Sequence, residues 1–169
     1  MKKTVIKESN IHGAGMFAST CIAKGQTIQM LDGEVVSFRE IVRRIQAGTT
    51  VPDDPLQIGE NLYMDLDHSA HAINHSCDPN AGVRYQNELV AIKDIMPGEE
   101  ISYDYSTTVS TSVSLEDWSM RCRCGAANCR SLIGSIATIP VKQIQMYRNA
   151  NALQDYILVE LGAPSSQNP

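Results

Sequence analysis

Asn74-His75-Ser76-Cys77-Asp78-Pro79-Asn80 is the stretch of sequence that decides the fold of this chain. It follows the apolar pair Ala72-Ile73 and is dense in hydrogen-bonding groups. Taken alone, it indicates a buried polar turn, with His75 satisfied by backbone groups, at least as well as it indicates a functional site. Its meaning depends on three other motifs, one before it and two after it.

The first of these motifs is a cysteine knuckle, in which Cys122, Cys124 and Cys129 form a C-x-C-x4-C pattern. Thiolates bind zinc tetrahedrally, and structural zinc sites are usually closed by four protein ligands. Three local cysteines leave one position open, and Cys77 is the candidate to fill it. We predict one structural zinc ion on these four cysteines. The alternative is free thiols in a reducing compartment. Cys21, among apolar neighbours, is predicted to be a buried small hydrophobe.

The other two motifs are weaker when taken alone. His12-Gly13-Ala14-Gly15 lets the backbone approach a ligand, although a G-x-G pattern is most often a turn. Gly98 to Tyr105 reads G-E-E-I-S-Y-D-Y, which places Tyr103 and Tyr105 on one face of a predicted strand. Tyrosines in strands usually serve packing. Asp104 would point the opposite way and satisfy a local backbone group.

Composition narrows the classes of function. A chain of 169 residues with 43% hydrophobic and 20% charged residues fits one soluble globular domain. The net charge of -5 argues against sequence-independent nucleic-acid binding, so no direct nucleic-acid contact is expected. No apolar run approaches the roughly 20 residues that span a bilayer, and no signal-peptide core begins the chain. We therefore expect no membrane association and a cytoplasmic protein, or a nuclear one in a eukaryotic host.

The pattern of short strands and turns predicts a mainly β (α+β) fold. Strands are predicted near residues 3–7, 27–31, 35–36, 81–85, 89–92 and 101–105, and residues 48–61 are read as a loop. Ser37 and Glu40 form a capping box before a helix that Gly48 ends. Pro140 opens a helical tail, which places Leu153, Tyr156, Ile157 and Leu161 on one face and ends at Gly162.

The four motifs, in this order and spacing, resemble those of the SET-domain methyltransferases with a post-SET zinc knuckle. The resemblance covers residues 3 to about 134. It implies a β-clip fold of several short twisted sheets, in which the N-H-S-C segment and the last strand form a pseudoknot. The implied organisation is a SET domain at 3–106, a flexible Ser/Thr-rich connector at 107–121, a knuckle at 122–134, a helical extension at 135–162 and a disordered tail at 163–169.

The resemblance also implies roles for individual residues. Backbone groups of His12, Gly13, Ala14 and Gly15 would bind S-adenosylmethionine. So would the residues Asn74, His75 and Tyr105, with Met120 and Arg123 over the adenine ring. Tyr105 would be the catalytic tyrosine. Tyr103 stands where the family carries phenylalanine or tyrosine, and its hydroxyl would disfavour bulkier methylated products. Mono- or dimethylation is the resulting hypothesis.

The sequence departs from the family pattern in two places. Leu31 stands where lysine-directed members commonly carry a channel-lining tyrosine, and His71-Ala72 replace the usual Arg-Phe. The first change predicts a wider or more apolar lysine channel. No pre-SET cysteine cluster precedes the domain. A compact, free-standing enzyme is expected, whose substrate need not be chromatin.

The leading hypothesis is an S-adenosylmethionine-dependent protein-lysine N-methyltransferase whose partner is a protein or peptide that presents a lysine. One alternative is a methyltransferase that acts on a small amine or a peptide-like metabolite. Another is a weakly active SET module that serves as a binding scaffold. Substrate identity, methylation state, host, oligomeric state and the role of the helical tail are left open by the sequence.

Overall fold

The computed structural model describes residues 2–51, 54–67 and 70–163. Small antiparallel sheets dominate it, as the sequence predicts. The described strands are β1 (Thr4–Glu8), β2 (Ala14–Ala18), β3 (Thr27–Met30), β4 (Gly33–Ser37), β5 (Leu56–Gly59), β6 (Leu62–Leu66), β7 (Asn74–His75), β8 (Ala81–Arg84), β9 (Glu88–Ala91), β10 (Glu100–Tyr103), β11 (Met120–Arg121) and β12 (Leu132–Ile133). The helices are α1 (Phe38–Gln46), α2 (Val141–Asn149) and α3 (Asp155–Glu160), with 3-10 helices at Tyr105–Thr108 and Ile136–Thr138.

These strands form four sheets. The first has the order β1-β2-β10-β7, the second β3-β9-β8, the third β4-β6-β5, and β11 pairs with β12. All pairings are antiparallel except that of β10 with β7, where Ser102 lies opposite Asn74 and Tyr103 opposite His75. None of the helices in the described part of the chain has the length and apolar character needed to cross a membrane.

The stretch 74–80 wraps around β10, as the expected pseudoknot requires. The Asn80 side chain donates to the Glu100 carbonyl at 2.8 Å and accepts from the Ser102 N–H at 3.0 Å. On the other side, the Ser76 N–H donates to the Tyr103 carbonyl at 3.1 Å. Strand β10 is therefore held by one short loop at both ends, and the two motifs that sequence analysis singled out become neighbours.

Helix α1 begins as the capping box predicts. The Ser37 hydroxyl accepts from the Glu40 N–H at 3.3 Å, and Gly48 follows the helix with a φ of 70°. The Glu40 carboxylate does not return to the cap, because it binds Arg43 and Arg44 on the helix surface.

Several local predictions were wrong. The predicted loop at 48–61 contains β5, whose Leu56, Gln57 and Ile58 are all buried, so the alternating pattern that would reveal a strand is absent. The predicted strand at 101–105 ends at Tyr103, because Asp104 caps the following 3-10 helix. Cys21 is exposed, since Ile22 occupies the core position beside it.

The C-terminal extension contains two helices rather than one continuous run. Asn151 adopts a left-handed backbone with a φ of 49°, and Gln154 forms a parallel bridge to Tyr85, so the chain turns between α2 and α3. Tyr147, Leu153 and Ile157 are fully buried against Val90 and Ile92. Residues 164–169 of the predicted disordered tail lie outside the described residues.

Candidate active site and metal centre

The side chain of Asn74 lies at the centre of the first group of motif residues. Its Nδ2 lies 3.1 Å from the carbonyl oxygens of both His12 and Ala14, 3.1 Å from Ser9 Oγ and 2.7 Å from Glu100 Oε1. An amide nitrogen carries two protons, so this pocket holds more oxygen acceptors than it has amide protons to satisfy them. The surplus of acceptors makes the pocket suited to a positively charged group.

The loop 12–15 contributes backbone carbonyls to this pocket. His12, Gly13 and Ala14 are exposed, and Gly13 has a φ of 47°, a conformation that glycine adopts without strain. Gly15 is buried, and a Cβ there would lie 2.5 Å from Glu100 Oε1. Gly13 thus permits the bend of the loop, whereas Gly15 leaves room for the Glu100 carboxylate.

His75 connects the backbone of Tyr105 to the cysteine cluster. Its Nδ1 accepts from the Tyr105 N–H at 3.1 Å, so the ring proton lies on Nε2, which faces Cys77 Sγ at 3.3 Å. Burial lowers the pKa of His75 to about 4, although the neighbouring Asp104 carboxylate opposes the shift. The imidazole is therefore neutral at physiological pH and donates toward the Cys77 sulfur.

The two tyrosines of the Y-D-Y motif lie together although only Tyr103 belongs to β10. Their ring centroids are 4.8 Å apart, and the Tyr105 hydroxyl donates to the Ile73 carbonyl at 2.8 Å. The side chain of Thr108 hydrogen-bonds to Tyr103. Burial, and secondarily Tyr105, raises the pKa of Tyr103. Both hydroxyls can therefore orient a ligand, and Tyr103 is no base near neutral pH.

A cavity of about 480 Å³ reaches these two tyrosines. Apolar side chains of α1 form one wall, and the segment from Thr108 to Trp118 forms another. Asp54 and Asp117 add two carboxylates to a lining that is otherwise mostly apolar. Leu31 is not in this lining, because it is buried in the main core.

The sulfur atoms of the knuckle converge on Cys77. Ligand atoms of His75, Cys77, Cys122 and Cys124 all lie within 4.8 Å of one another, and the five cysteines are free thiols. Cys129 is adjacent, since its side chain hydrogen-bonds to both Cys122 and Cys124. Backbone N–H groups of Cys77 and Arg130 point at the sulfurs of Cys124 and Cys77, each at 3.4 Å.

This donor set fits a zinc ion. Burial opposes ionisation of Cys124, but N–H groups of Cys77 and Ala126 and the neighbouring thiols lower its pKa to about 7. N–H groups directed at sulfur stabilise the thiolates that a metal requires. The cluster could therefore hold zinc. His75 also lies within reach of it, a neighbour that the cysteine spacing does not reveal.

Asp104 has more hydrogen-bond partners than the single local contact that the sequence predicts. It accepts from the Ser106 N–H at 3.2 Å, which is the expected local contact. It also binds Arg130 through two bonds of 2.7 and 2.6 Å and accepts from the Tyr147 hydroxyl at 3.1 Å. Arg130 directly follows Cys129 in the sequence. The buried ion pair of Arg130 with Asp104 therefore attaches the knuckle to the motif that contains both tyrosines.

Met120 and Arg123 lie in and just after β11. Met120 is half-buried and pairs with Ile133, while Arg123 is exposed between two of the cysteines. Met120 therefore lies just before the knuckle, and Arg123 lies within it.

Comparison with known proteins agrees with this geometry. Residues 13–106 match the family described as "SET domain". The chain belongs to the SET-domain family. The match begins within the glycine loop and ends after Tyr105, so it contains the asparagine pocket, β10 and the tyrosine pair. The prediction of a SET fold is thereby confirmed.

Curated relatives of this SET domain are named as histone-lysine N-methyltransferases. SETMAR of Mus musculus is 31% identical over 149 residues, covering 72% of this chain and 48% of the relative. Su(var)3-9 of Drosophila melanogaster is 29% identical over 161 residues, covering 76% and 24% respectively. This SET-domain chain therefore spans less than half the length of these relatives.

A solved structure entitled "ctPRC2 in an autoinhibited conformation bound to S-adenosylmethionine" is also similar. It has a TM-score of 0.54 and 28% identity, and the alignment covers 63% of this chain and 15% of that one. S-adenosylmethionine use is accordingly implied by the SET family.

Proposed function

We propose that this protein transfers a methyl group from S-adenosylmethionine to the side-chain amine of a lysine in a protein substrate. The observation that carries the proposal is the position of Tyr105 between two groups of motif residues. Its side chain lines the apolar cavity, and its N–H donates to His75, the neighbour of Asn74 in β7. Four oxygen atoms surround the Asn74 amide.

The pocket around Asn74 suits the cosubstrate. S-adenosylmethionine supplies an electrophilic methyl group on a sulfonium ion, and its amino-acid portion adds an ammonium. Carbonyls of His12 and Ala14 and the Glu100 carboxylate offer the acceptors that such cations need. Gly13 leaves the backbone open to solvent on this side. We assign His12, Gly13, Ala14, Gly15, Asn74 and His75 to this pocket, and we assign Met120 and Arg123 to the same ligand.

The cavity suits a lysine. A lysine amine has a pKa near 10.4 in water and must lose its proton before it can attack. Apolar walls desolvate the ammonium form and thereby lower its pKa, as does a neighbouring cation. Asp54 and Asp117 attract the charged side chain during its approach, and the mostly apolar interior then favours the neutral amine.

Tyr105 is assigned to orientation of the amine. Its hydroxyl donates to the Ile73 carbonyl, which fixes the direction of the hydroxyl group, and a phenol oxygen can also accept from an amine N–H. Tyr103 and Thr108 restrict the space beside it. Fixing the amine on the line of transfer converts a bimolecular encounter into an oriented one, which can supply a large part of the acceleration.

The names of the relatives support a protein acceptor, because they specify histone lysine as the substrate of those proteins. A small amine is the second candidate. The observation in its favour is the volume of about 480 Å³, which is ample for a free ligand of moderate size. A scaffold without activity is the least favoured candidate, because the oriented Tyr105 hydroxyl has no evident role in simple binding.

The test is methyl transfer from labelled S-adenosylmethionine, with core histones, a proteome extract and a small-molecule extract as acceptors. We expect label on protein lysine. Tyr105→Phe should lower transfer by roughly 10² or more, because it removes an oriented polar group from the reacting centre. Tyr85→Phe, at an exposed turn, is the matched control and should transfer as the wild type does.

Label on small molecules alone would favour the second candidate. Absence of label on every acceptor would contradict the proposed activity. Equal transfer by Tyr105→Phe and wild type would remove Tyr105 from its assigned role.

A further inference from the structure

One wall of the cavity is a segment without regular structure beyond its first turn. The part of the connector from Thr108 to Trp118 supplies six lining side chains: Thr108, Val109, Ser112, Val113, Asp117 and Trp118. Some of its backbone groups pair within the segment, as the Val113 N–H does with the Ser110 carbonyl at 3.1 Å, and others have partners outside it. The partners decide how firmly the wall is held.

The C-terminal extension provides three hydrogen bonds to this segment through Glu160. Its Oε1 accepts from the Ser110 hydroxyl at 2.7 Å. Its Oε2 accepts from the N–H of Thr111 at 2.8 Å and from the hydroxyl of Thr111 at 3.0 Å. One carboxylate at the end of α3 thus binds two consecutive connector residues, and charge assistance makes such bonds stronger than neutral ones.

Tyr156, one turn earlier on α3, adds a second attachment. Its hydroxyl donates to the Thr108 carbonyl at 2.7 Å. Burial, and secondarily the Glu160 carboxylate, raises the pKa of Tyr156, so the phenol keeps its proton and remains a donor. The attachment through Tyr156 therefore persists across the physiological pH range.

The connector is held from its other side by β5. The Ser110 N–H donates to Gln57 Oε1 at 3.0 Å, and Gln57 itself lines the cavity. Helix α3 is in turn anchored by Ile157, which is fully buried in the second core. Residues 108–111 are thus fixed between the sheet that borders the cavity and a helix that does not line it.

We propose that Glu160 and Tyr156 are positioning residues for the acceptor. They hold the connector wall at a distance from Tyr103 and Tyr105 that allows the acceptor side chain to bind. Neither residue contacts the acceptor itself. The C-terminal extension, whose role the sequence leaves open, is then part of the acceptor site. This inference rests on the proposed function, because it concerns the acceptor side of the same cavity.

The first test needs no methyl transfer. Trp118 is the only tryptophan of the chain and lies in the connector wall, so its fluorescence reports on that wall. In Glu160→Ala we expect stronger acrylamide quenching of Trp118 and amide exchange at Thr111 faster by at least about tenfold, since the acceptor of that N–H is lost. Val159→Ala, at an exposed position of the same helix, is the matched control and should change neither quantity.

The second test separates acceptor binding from cofactor binding. With core histones, or the acceptor identified by proteome labelling, Glu160→Ala should raise KM for the acceptor by at least about fivefold. The Kd for S-adenosylmethionine should stay within about twofold of wild type. Glu160→Gln should restore most of the acceptor KM, because its amide keeps an acceptor for Thr111 and gains a donor for Ser110.

Unchanged quenching and exchange in Glu160→Ala would overturn the inference, and so would an equal loss of acceptor and cofactor affinity. Tyr156→Phe, which removes one hydroxyl, provides the same comparison if Glu160→Ala does not fold. A wild-type protein that transfers no methyl group, while Trp118 becomes accessible in Glu160→Ala, would overturn the proposed function and leave the attachment of the wall supported.

Discussion

At the scale of single residues, the backbone at position 15 leaves no room for a side chain. A Cβ would meet Glu100 Oε1 at 2.5 Å and Ser9 Cβ at 2.9 Å. Glu100 is the closest partner of the Asn74 amide, so displacement of its carboxylate would disturb the pocket assigned to S-adenosylmethionine. The effect of a methyl group added at position 15 can therefore be measured as a change in the Kd for S-adenosylmethionine.

We expect Gly15→Ala to raise the Kd for S-adenosylmethionine by about tenfold or more, because a pocket for a cation loses the alignment of its acceptors. Forced overpacking should also lower the free energy of unfolding by about 1–3 kcal/mol. Calorimetry with the cosubstrate and urea denaturation measure the two effects. Gly59→Ala is the control, because the nearest neighbour of its Cβ would lie at an ordinary 3.6 Å. Wild-type affinity in Gly15→Ala would refute the assignment of the pocket.

Tyr103 offers a test of product specificity. Its hydroxyl occupies space at the cavity beside Tyr105 and is bound by the side chain of Thr108. Tyr103→Phe removes that oxygen and frees room near the amine, so we expect mass spectrometry of the acceptor to show a higher methylation state. Thr108→Val, which removes the hydroxyl that binds Tyr103, should cause a smaller shift in the same direction. An unchanged product distribution in Tyr103→Phe would contradict the hypothesis of mono- or dimethylation.

Much of the candidate site could be proposed from the sequence because its residues lie in short, unusual motifs. Asn74, His75 and Tyr105 do lie together in the structure. Their supporting partners were missed, and the reason is physical. Ser9 and Arg130 act across large sequence separations, and nothing in their local sequence distinguishes them from surface polar residues. Glu100 belongs to the motif that contains both tyrosines, but that motif does not reveal its bond to Asn74. Ser9 reaches Asn74 from the end of β1, and Arg130 reaches Asp104 from the knuckle.

At the scale of elements, the knuckle is attached to the SET core by more than sulfur. Asp104 has no exposed side chain, and Arg130 binds it in a bidentate manner. Asn128 and Gln143 both donate to the Cys77 carbonyl, at 3.0 and 2.7 Å. A zinc ion on the cluster would therefore order a segment that also supports Tyr105 through His75 and Asp104.

Metal removal should accordingly reduce function before it melts the β core. We expect a chelator, or Cys77→Ser, to weaken S-adenosylmethionine binding and methyl transfer while far-UV circular dichroism retains its β signal. Protons compete for the thiolates, so zinc should be lost more readily as the pH falls. Cys21→Ser is the control, because Cys21 is exposed and outside the cluster. Unchanged turnover after chelation would show that the cluster links the knuckle to the core without supporting the active site.

The elements themselves were predictable only where the chain shows periodicity or a cap. The helix after Ser37 follows from its capping box, and the hairpin around residues 86–88 follows from its apolar flanks. Strand β7 has two residues, and β5 is buried along its whole length apart from Gly59, so neither has a pattern that a local reading can detect. Both strands exist because of partners that are distant in sequence.

At the scale of the whole molecule, the fold contains two apolar cores on opposite sides of β8 and β9. The main core includes Ala81 and Val83, whereas the second core joins Val90 to the C-terminal extension. Because side chains alternate along a strand, Gly82 faces the opposite side from its neighbours and meets the extension. Its ideal Cβ would lie 2.7 Å from the Cβ of Ala152, which is fully buried.

Gly82→Ala therefore tests whether the extension is an integral part of the SET fold. The added methyl group cannot be accommodated without moving Ala152, whose carbonyl oxygen would also lie only 3.2 Å away. We expect a loss of about 1–3 kcal/mol in the free energy of unfolding. Since displacement of the loop between α2 and α3 also shifts α3, acceptor KM should rise as in Glu160→Ala, while the Kd for S-adenosylmethionine changes little.

The double variant Gly82→Ala/Ala152→Gly supplies the control for this prediction. Removing the opposing methyl group relieves the closest contact, so the second change should recover part of the lost stability even though glycine itself disfavours an ordered backbone. Urea denaturation of the four proteins of this cycle measures the coupling between β8 and the extension. Strict additivity of the two changes would show that the extension rests on the sheet without close packing, and it would weaken the case for an acceptor site that depends on α3.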